Sequence, residues 1–341
     1  MPTLPRWVID PDGEIPQKYA RLLESFADCR EDLRAGLMLK KEFAAVARER
    51  LGLGGGSSNI LYRLLLDRRG PPVQVQALEL VEVVTPAGGN VHLIIGDAHA
   101  APDQNLERFT ILGRMVRDIR PDVVICIGDF ADMPALSSYD QGKKAAENRR
   151  YSADIAAANE ALRLFHKEID DYNRAFPSDP IRPRFVYCEG NHEHRIARAS
   201  NDSPAYDNMG LSDLDFARRG WEVFEFLRPA TIDGVNYCHY FTSQNTARAI
   251  SGVSAARSLV NKKHMSCVVG HSHLFNHWTT TAGDRRLHGL VVGWYCDVFK
   301  SYAGQSNAGW WSGICVLRDV KNGDYDLELW SYRRMVTRWG G

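Results

Sequence analysis

The sequence predicts an α/β protein in which helices cover a layered sheet of buried strands. Five short apolar runs, each closed by glycine, are typical of such strands: VHLIIG, DVVICIG, RFVYCEG, MSCVVG and HGLVVG. Two long segments with helical spacing of their apolar residues, at 106–119 and 152–176, separate the first three runs. A chain of 341 residues has room for one large domain of this class and a small accessory segment.

The composition excludes several classes of protein. Hydrophobic residues make up 44% and charged residues 25% of the chain, so a fully disordered protein is excluded. Lys and Arg number 42, as do Asp and Glu, and any preference for a charged partner must therefore be local. No apolar run approaches the roughly 20 residues that span a bilayer, and the first residues lack a signal-peptide pattern. We therefore expect no membrane partner.

The cysteines indicate a reducing compartment. There are seven of them, with no C-x-x-C pair, and Cys126 and Cys188 lie inside apolar runs that predict strands. An odd number of thiols in such places indicates reduced, buried side chains, and neither a disulfide framework nor a thiolate metal site. We expect a cytoplasmic protein.

Residues 1–88 predict a helical leader that precedes the α/β domain of residues 89–341. Apolar residues recur at helical spacing in 16–34 and in 38–51, and a third helix is predicted after the break GLGGGSSN. Residues 34–70 hold 8 basic and 3 acidic side chains. The leader is therefore either a helix-turn-helix that touches phosphates or a structural cap with a solvated basic face. The length of the turn favours the cap.

Polar side chains directly follow four of the apolar runs. They are Asp97 and His99, then Asp129 and Asp132, then Asn191 and His192, and last His271 and His273. Ligands collect beyond the carboxyl ends of strands in α/β sheets, so we expect four loops to bring these groups into one crevice. Carboxylate and imidazole donors without cysteine suit Mn²⁺, Fe²⁺ or Zn²⁺ better than Ca²⁺. Their number exceeds the need of one ion and suits two ions that share a carboxylate.

The order of these motifs resembles that of the calcineurin-like metallophosphoesterases. The signature of that family runs D-x-H, G-D-x-x-D, G-N-H-E, a lone His and G-H-x-H. This chain has D-A-H at 97–99, G-D-F-A-D at 128–132, G-N-H-E at 190–193, His239, and G-H-S-H at 270–273. The resemblance covers most of the chain after residue 88. It implies a four-layer α/β/β/α sandwich and a hydrolase of phosphate esters that uses two divalent metal ions.

The resemblance also implies a role for each residue of the signature. Seven residues would hold two ions: Asp97, His99 and His273 the first, Asn191, His239 and His271 the second, and Asp129 both. His192 would not bind metal but would give a proton to the leaving oxygen, and Asp132 would orient it. The nucleophile would be a metal-activated hydroxide. Mn²⁺ is the ion that we expect, with Fe²⁺ and Zn²⁺ as alternatives.

Some of these residues also have an ordinary structural interpretation. A lone histidine on an apolar strand, as His239 is in VNYCHYF, is more often a hydrogen-bonded core residue, and only the surrounding motifs favour a ligand. Asp132 could be a helix cap. Arg195 could bind a substrate phosphate or form a surface ion pair. The aromatic residues between 294 and 311 favour core packing over a platform for stacked bases.

The substrate is predicted from one difference between this sequence and the family signature and from two basic segments. The protein-phosphatase branch of the family follows G-D-x-x-D with Arg-Gly, whereas Met133 and Pro134 stand here, which argues against a phosphoprotein substrate. A polar, helical insertion at about 134–180 carries Lys-Lys at 143–144 and Arg-Arg at 149–150. Together with the basic leader, these pairs favour a nuclease, a phosphodiesterase whose partner is DNA. The alternatives are a hydrolase of small phosphodiesters or phosphomonoesters, such as a nucleotide phosphatase, and a non-catalytic DNA-binding adaptor.

Overall fold

A computed structural model of the chain describes two compact units, Met1–Val84 and Thr85–Gly341. The described residues are 40–51 and 89–340, apart from 139–146, 204, 205, 207, 245 and 297–300, together with Phe26, Cys29, Leu33 and Met38.

The first unit contains one described helix, α1 (Lys40–Leu51), which lies where the sequence predicts a helix over 38–51. Its buried residues Phe43 and Ala47 pack with Phe26, Cys29 and Leu33. The rings of Phe26 and Phe43 meet edge to face, with their centroids 5.6 Å apart. The third predicted helix and the turn before it lie outside the described residues. The choice between a helix-turn-helix and a cap therefore stays a prediction.

The first sheet of the second unit consists of six strands: β1 (Asn90–Ile95), β2 (Val123–Cys126), β3 (Arg184–Cys188), β4 (Glu222–Phe224), β10 (Gly313–Lys321) and β11 (Asp324–Ser331). Their order across the sheet is β11-β10-β1-β2-β3-β4. The strands β1 to β4 are parallel, and Ile125 of β2 lies between Ile94 and Val186 in the register. The strands β10 and β11 run antiparallel to their neighbours.

The second sheet consists of five strands: β5 (Ala230–Ile232), β6 (Val235–Tyr237), β7 (Ser266–Val269), β8 (Phe275–Ala282) and β9 (Arg285–Val292). Their order is β5-β6-β7-β9-β8. The three central strands, β6, β7 and β9, are parallel, so the carboxyl ends of β6 and β7 lie at one edge.

Five further helices lie in the described part of this unit: α2 (Glu107–Ile119), α3 (Tyr151–Ala175), α4 (His194–Asp202), α5 (Ala255–Lys263) and α6 (Tyr332–Trp339). Short 3₁₀ segments lie at Pro134–Leu136, Leu211–Asp213, Ala217–Arg219 and Ser301–Gly309. None of the described helices combines the length and the apolar character that crossing a membrane requires. The helix α3 provides the helical part of the predicted insertion, and it packs on α2 where Gly113 allows close approach to the Phe165 carbonyl. Lys143 and Lys144 lie outside the described residues.

The central strands β1, β2 and β7 are buried on both faces along most of their length, which explains their uninterrupted apolar sequences. Leu93 and Ile95 of β1 pack with α2 and α3, whereas Ile94 between them packs against the second sheet. On the other side of the second sheet, Cys267 and Val269 of β7 pack with α5. The layers are therefore helices, sheet, sheet and helix, which confirms the predicted α/β/β/α sandwich.

Candidate metal centre

The predicted site residues meet at the carboxyl edge of both sheets. Loops after β1, β2 and β3 come from the first sheet, and loops after β6 and β7 come from the second. Three groups of residues each have their donor atoms within 4.8 Å of one another. The groups are Asp97, His99 and His273; His99, Asp132 and His192; and Asp129, His239 and His271. Residues separated by up to 176 positions in the chain are thus neighbours because parallel strands end together.

The backbone of these loops is strained at the donors. His99, Asp129, His271 and His273 have φ of 48°, 50°, 68° and 59°, the left-handed region that side chains other than glycine seldom adopt. Such strain costs of order 1–3 kcal/mol per residue and persists only where the surrounding structure enforces it. The fold therefore holds these four side chains in imposed positions.

Two glycines of the signature are required by close approach. A Cβ atom at Gly190 would lie 2.1 Å from the Asp129 nitrogen and 2.2 Å from its Oδ1. A Cβ atom at Gly270 would lie 2.2 Å from Asp97 Oδ1. Any side chain at either position would displace one of the two buried carboxylates of the site.

The first donor set consists of Asp97, His99 and His273, and the lone pairs of its donor atoms point toward one another. His99 Nδ1 lies 3.0 Å from Asp132 Oδ1 and donates its proton there, so its Nε2 carries a lone pair. That Nε2 lies 3.1 Å from His273 Nε2, which itself lies 3.1 Å from Asp97 Oδ2. One proton at most is available among these three atoms. A cation between them is the partner that such a set lacks.

The second donor set consists of Asp129, Asn191, His239 and His271, and its donor atoms converge in the same way. His239 Nδ1 donates to the Ile127 carbonyl at 3.1 Å, which leaves Nε2 facing Asn191 Oδ1 at 2.9 Å and Asp129 Oδ2 at 3.4 Å. His271 Nδ1 lies 2.8 Å from the same Asn191 oxygen. The backbone carbonyl fixes the tautomer of His239, as it does for histidine ligands of metals. His239 is therefore more than a satisfied core histidine.

The electrostatics of the site also favour cations. Burial opposes ionisation of Asp97 and Asp129, yet their histidine neighbours keep the pKa of both carboxyl groups below the ordinary value. Burial likewise opposes charge on His239, but the Asp129 carboxylate outweighs it and raises the pKa of His239 to about 9. This pKa indicates that the Asp129 carboxylate favours positive charge at His239 Nε2, which a metal ion would supply in place of the proton. Burial lowers the pKa of His99 to about 4, so this ring is neutral, as a metal ligand must be.

The residues present fit two divalent ions. Each set combines imidazole nitrogen with carboxylate or amide oxygen, and Asp129 lies where it can serve the second set while its Oδ1 accepts from the His192 backbone N–H at 2.9 Å. All seven cysteines of the chain are buried and form no disulfide, and none belongs to these sets. Nitrogen and oxygen donors without sulfur suit Mn²⁺, Fe²⁺ and Zn²⁺. The assignment of each donor to one ion stays a prediction.

His192 lies beside the donors and is held by Asp132. Its Nδ1 lies 2.7 Å from the Asp132 carbonyl and 3.1 Å from Asp132 Oδ1, and its Nε2 lies 3.7 Å from Asp129 Oδ2. Burial opposes charge on the ring, but the Asp129 charge and the Asp132 hydrogen bond outweigh it and raise the pKa of His192. Asp132 does not cap the following 3₁₀ segment, whose N-cap is Met133. Its carboxylate serves His99 and His192 at once.

Arg195 lies in the same cluster, but its donors are engaged within the protein. Its Nη1 donates to the carbonyls of Asp132 and Met133 at 3.0 and 3.2 Å, and its Nη2 lies 3.0 Å from His192 Nε2. The last contact requires a lone pair on Nε2, so Arg195 opposes protonation of His192. Binding of a substrate phosphate by Arg195 stays a prediction, and it would require these bonds to open.

Sequence reasoning assigned no role to Glu193, the last residue of G-N-H-E. This carboxylate is 0% exposed and accepts from the backbone N–H groups of Ala131 at 2.7 Å, Asp129 at 3.1 Å and Gly190 at 3.2 Å. Burial and the Asp129 charge raise the pKa of Glu193 to about 7, while the N–H groups favour the ionised form. Glu193 joins the loops after β2 and β3. Its presence in the motif was the signal that could have found it.

The chain was compared with known proteins. The family model "Calcineurin-like phosphoesterase" matches residues 92–275, which is more than half of the chain and includes all five motifs. A solved structure described as a novel archaeal phosphodiesterase is 12% identical, covers 70% of this chain and 99% of its own, and has a TM-score of 0.35. A structure from Thermus thermophilus is also 12% identical, with coverages of 72% and 100% and a TM-score of 0.26. No curated protein sequence gives a match. The family match shows that the chain belongs to the calcineurin-like phosphoesterases, and that it is a metal-dependent phosphoesterase.

Proposed function

We propose that this phosphoesterase is a phosphodiesterase that cleaves nucleic acid, with DNA as its partner and Mn²⁺ as its preferred ion. The observation that supports it best is the position of His192 beside the two donor sets, with Asp132 on its Nδ1. Divalent ions bound there would polarise the phosphate and make water a nucleophile at neutral pH.

His192 matters because of the leaving group. The bond that breaks in a nucleic acid releases an alkoxide, which is a poor leaving group until it receives a proton. His192 Nε2 faces the site 3.7 Å from Asp129 Oδ2, and Asp132 holds the other nitrogen and favours the charged ring. A proton on Nε2 requires the contact with Arg195 Nη2 to open. This is the arrangement of a general acid. It also speaks against a non-catalytic adaptor, because a purely structural metal site needs no proton donor.

The basic leader supports a nucleic-acid substrate. Four basic residues are exposed on α1: Lys40, Lys41, Arg48 and Arg50. The guanidinium of Arg50 lies over the Phe26 ring, 5.4 Å from its centroid, so this side chain has an internal partner as well. Exposed Lys and Arg on one helix form the kind of surface that binds phosphates without reading sequence.

A substrate panel tests the proposal. The purified protein is incubated with Mn²⁺ and single-stranded DNA, duplex DNA, bis-p-nitrophenyl phosphate or p-nitrophenyl phosphate, with the D129N variant as the control for contaminating activity. We expect cleavage of the diester and degradation of DNA. A preference for the monoester would instead identify a nucleotide phosphatase, and no hydrolysis of any of the four would identify an adaptor.

A second experiment tests the leader. Replacing Arg48, Arg50, Arg68 and Arg69 by Ala should weaken DNA binding and flatten its salt dependence, because each lost phosphate contact lowers the slope of log K against log salt by about 0.9. Hydrolysis of bis-p-nitrophenyl phosphate should not change. The control replaces four exposed basic residues of the second unit: Arg120, Arg163, Lys167 and Arg174. Equal DNA affinity in both variants would make the leader a structural cap.

A further inference from the structure

A row of aromatic rings begins at the second donor set and leads away from it. The Tyr240 ring lies 4.6 Å from the His271 ring, measured between centroids. Phe226 meets Tyr240 edge to face at 5.6 Å, and His194 stacks on Phe226 at 4.4 Å with an angle of 21° between the planes. We call His194, Phe226 and Tyr240 the aromatic shelf.

The shelf differs from the aromatic core of the protein in its exposure. Trp294 and Tyr295 are 6% and 0% exposed, in agreement with core packing, whereas all three shelf residues are only partly buried. The side chain of His194 keeps 35% of its exposure. The shelf therefore presents ring surface to solvent directly beside predicted metal ligands.

The shelf is held in place by a buried carboxylate. Glu189, 7% exposed, lies at the end of β3; its Oε1 is 3.2 Å from His194 Nδ1, and its Oε2 accepts from the Phe226 backbone N–H at 2.9 Å. The loop that carries Phe226 continues through Leu227, an exposed residue with φ of 65°. A buried support and a strained loop are features of sites that must hold a fixed shape.

A cation lies near the shelf. Arg198 on α4 is exposed and makes no hydrogen bond or ion pair with the rest of the described chain. It stands one helical turn after His194, on the same face of α4. Partly exposed rings with an arginine beside them form the usual surface for a base and its phosphate.

We propose that the aromatic shelf, with Arg198, is the subsite for the nucleobase next to the phosphate that the metal centre cleaves. This inference rests on the proposed phosphodiesterase function and deepens it: one side of the scissile bond would be recognised by stacking, which every base permits. Base–aromatic stacking of this kind accounts for about 5- to 150-fold in affinity per base. The expected preference is therefore for a base, without selection among base sequences.

The test uses substrates with a single scissile bond. A deoxyadenosine dinucleotide is compared with two analogues that lack either the 5′ or the 3′ adenine but keep both sugars and the phosphate. The wild-type enzyme with Mn²⁺ should hydrolyse the dinucleotide with a kcat/KM at least about 5-fold above that of one analogue. In F226L this ratio should fall close to one, whereas F226W should retain it. F176L, which changes a 52% exposed phenylalanine at the end of α3, should keep the wild-type ratio.

A second variant pair separates stacking from metal loss. Tyr240 contacts His271, so metal content is measured in each variant. Y240F keeps the ring and should keep the ratio, whereas Y240L should lose it with both ions still bound. An unchanged ratio in both F226L and Y240L, or a wild-type enzyme that cleaves both analogues as fast as the dinucleotide, would overturn the proposal.

Binding distinguishes failure of the shelf from failure of the diesterase proposal. If the wild-type protein hydrolyses no diester, the proposed function is wrong, and the shelf is then tested by calorimetry with the Mn²⁺-loaded protein. Deoxyadenosine 5′-monophosphate should bind at least about 5-fold more tightly than deoxyribose 5-phosphate, and F226L should abolish the difference. Equal affinity of the wild-type protein for the two ligands would exclude the subsite whatever the reaction.

Discussion

Three buried histidines lie on or just after the same two strands, and His92 behaves differently from the other two. The strand β1 carries His92 within it and is followed by His99, and β6 is preceded by Asp233 and followed by His239. His92, His99 and His239 are 0–1% exposed, so burial alone does not separate them. What separates them is whether the protein itself satisfies both ring nitrogens.

His92 is satisfied on both sides. Its Nδ1 lies 2.6 Å from the Tyr237 hydroxyl, which donates to it, and its Nε2 donates to Asp233 Oδ2 at 2.9 Å. Its backbone pairs with β2 and with β10, and the register with β10 is irregular directly before it. At the metal centre, His99 donates from Nδ1 to Asp132, and His239 donates from Nδ1 to the Ile127 carbonyl. The Nε2 atom of each ring faces further acceptors, and the backbone at His99 is left-handed. A histidine whose two nitrogens both have partners in the protein stabilises the fold, whereas ring nitrogens that converge with other acceptors require a cation.

The largest effect should come from D129N, which keeps the size of the side chain but removes the charge between the two donor sets. We expect loss of at least one metal ion and of nearly all phosphoesterase activity, because two cations are no longer held together by a shared negative charge. Metal analysis together with an activity assay checks this. D233N is the matched control, since it makes the same change beside His92. Two bound ions and full hydrolysis in D129N would contradict the proposed bridging role.

H192N should have the next largest effect and leave both ions bound, because no metal bond is lost. The rate should fall about 10²- to 10⁴-fold, the usual contribution of a positioned proton donor. The loss should be smallest for nitrophenolate, which leaves without a proton, and largest for the alkoxide of DNA. Comparison of the deficit on the two substrates is the measurement. Equal deficits would mean that His192 only binds phosphate, and a lost ion would place it among the ligands.

E193Q tests whether a saturated group can still support the metal centre. The carboxylate accepts from three backbone N–H groups, and an amide would turn a donor toward one of them. We expect metal affinity or activity to fall about 10- to 100-fold, as for other groups that orient ligands. Metal titration measures it, with E168Q on α3 as the control. Unchanged metal affinity would restrict Glu193 to a role in folding.

H92Q should have the smallest effect on the reaction and act on stability alone. Tyr237 and Asp233 would lose a well-placed partner, which costs about 1–3 kcal/mol in the free energy of unfolding. Burial lowers the pKa of His92, so the unfolded chain binds this proton more readily and the contribution of His92 is lost as pH falls below 6.5. Urea unfolding at pH 7.5 and 5.5 measures both effects. If H92Q lost phosphoesterase activity without a change in stability, His92 could no longer be distinguished from the histidines of the metal centre.

Much of the fold could be predicted because its signals are local. The runs VHLIIG and DVVICIG are apolar at nearly every position since β1 and β2 are covered on both faces, and each glycine stands where a loop must turn closely. The order of the five motifs predicted the family and the set of converging residues. The residues 1–88 could be interpreted only as far as α1, because their remaining predictions depend on segments outside the described part of the chain.

The sequence by itself thus determined the layered α/β architecture, the candidate donors and the family, because strand burial, loop glycines and motif order are written in contiguous residues. Only the tertiary structure decided that Asp132 serves two histidines, that Arg195 is engaged by carbonyls, and that Glu193 joins two loops. The aromatic shelf was likewise decided there, since its rings come from the start of α4 and from the loops after β4 and β6. Such contacts depend on how two sheets stack and where their loops meet. They join residues that are far apart in the chain, so no local sequence pattern predicts them.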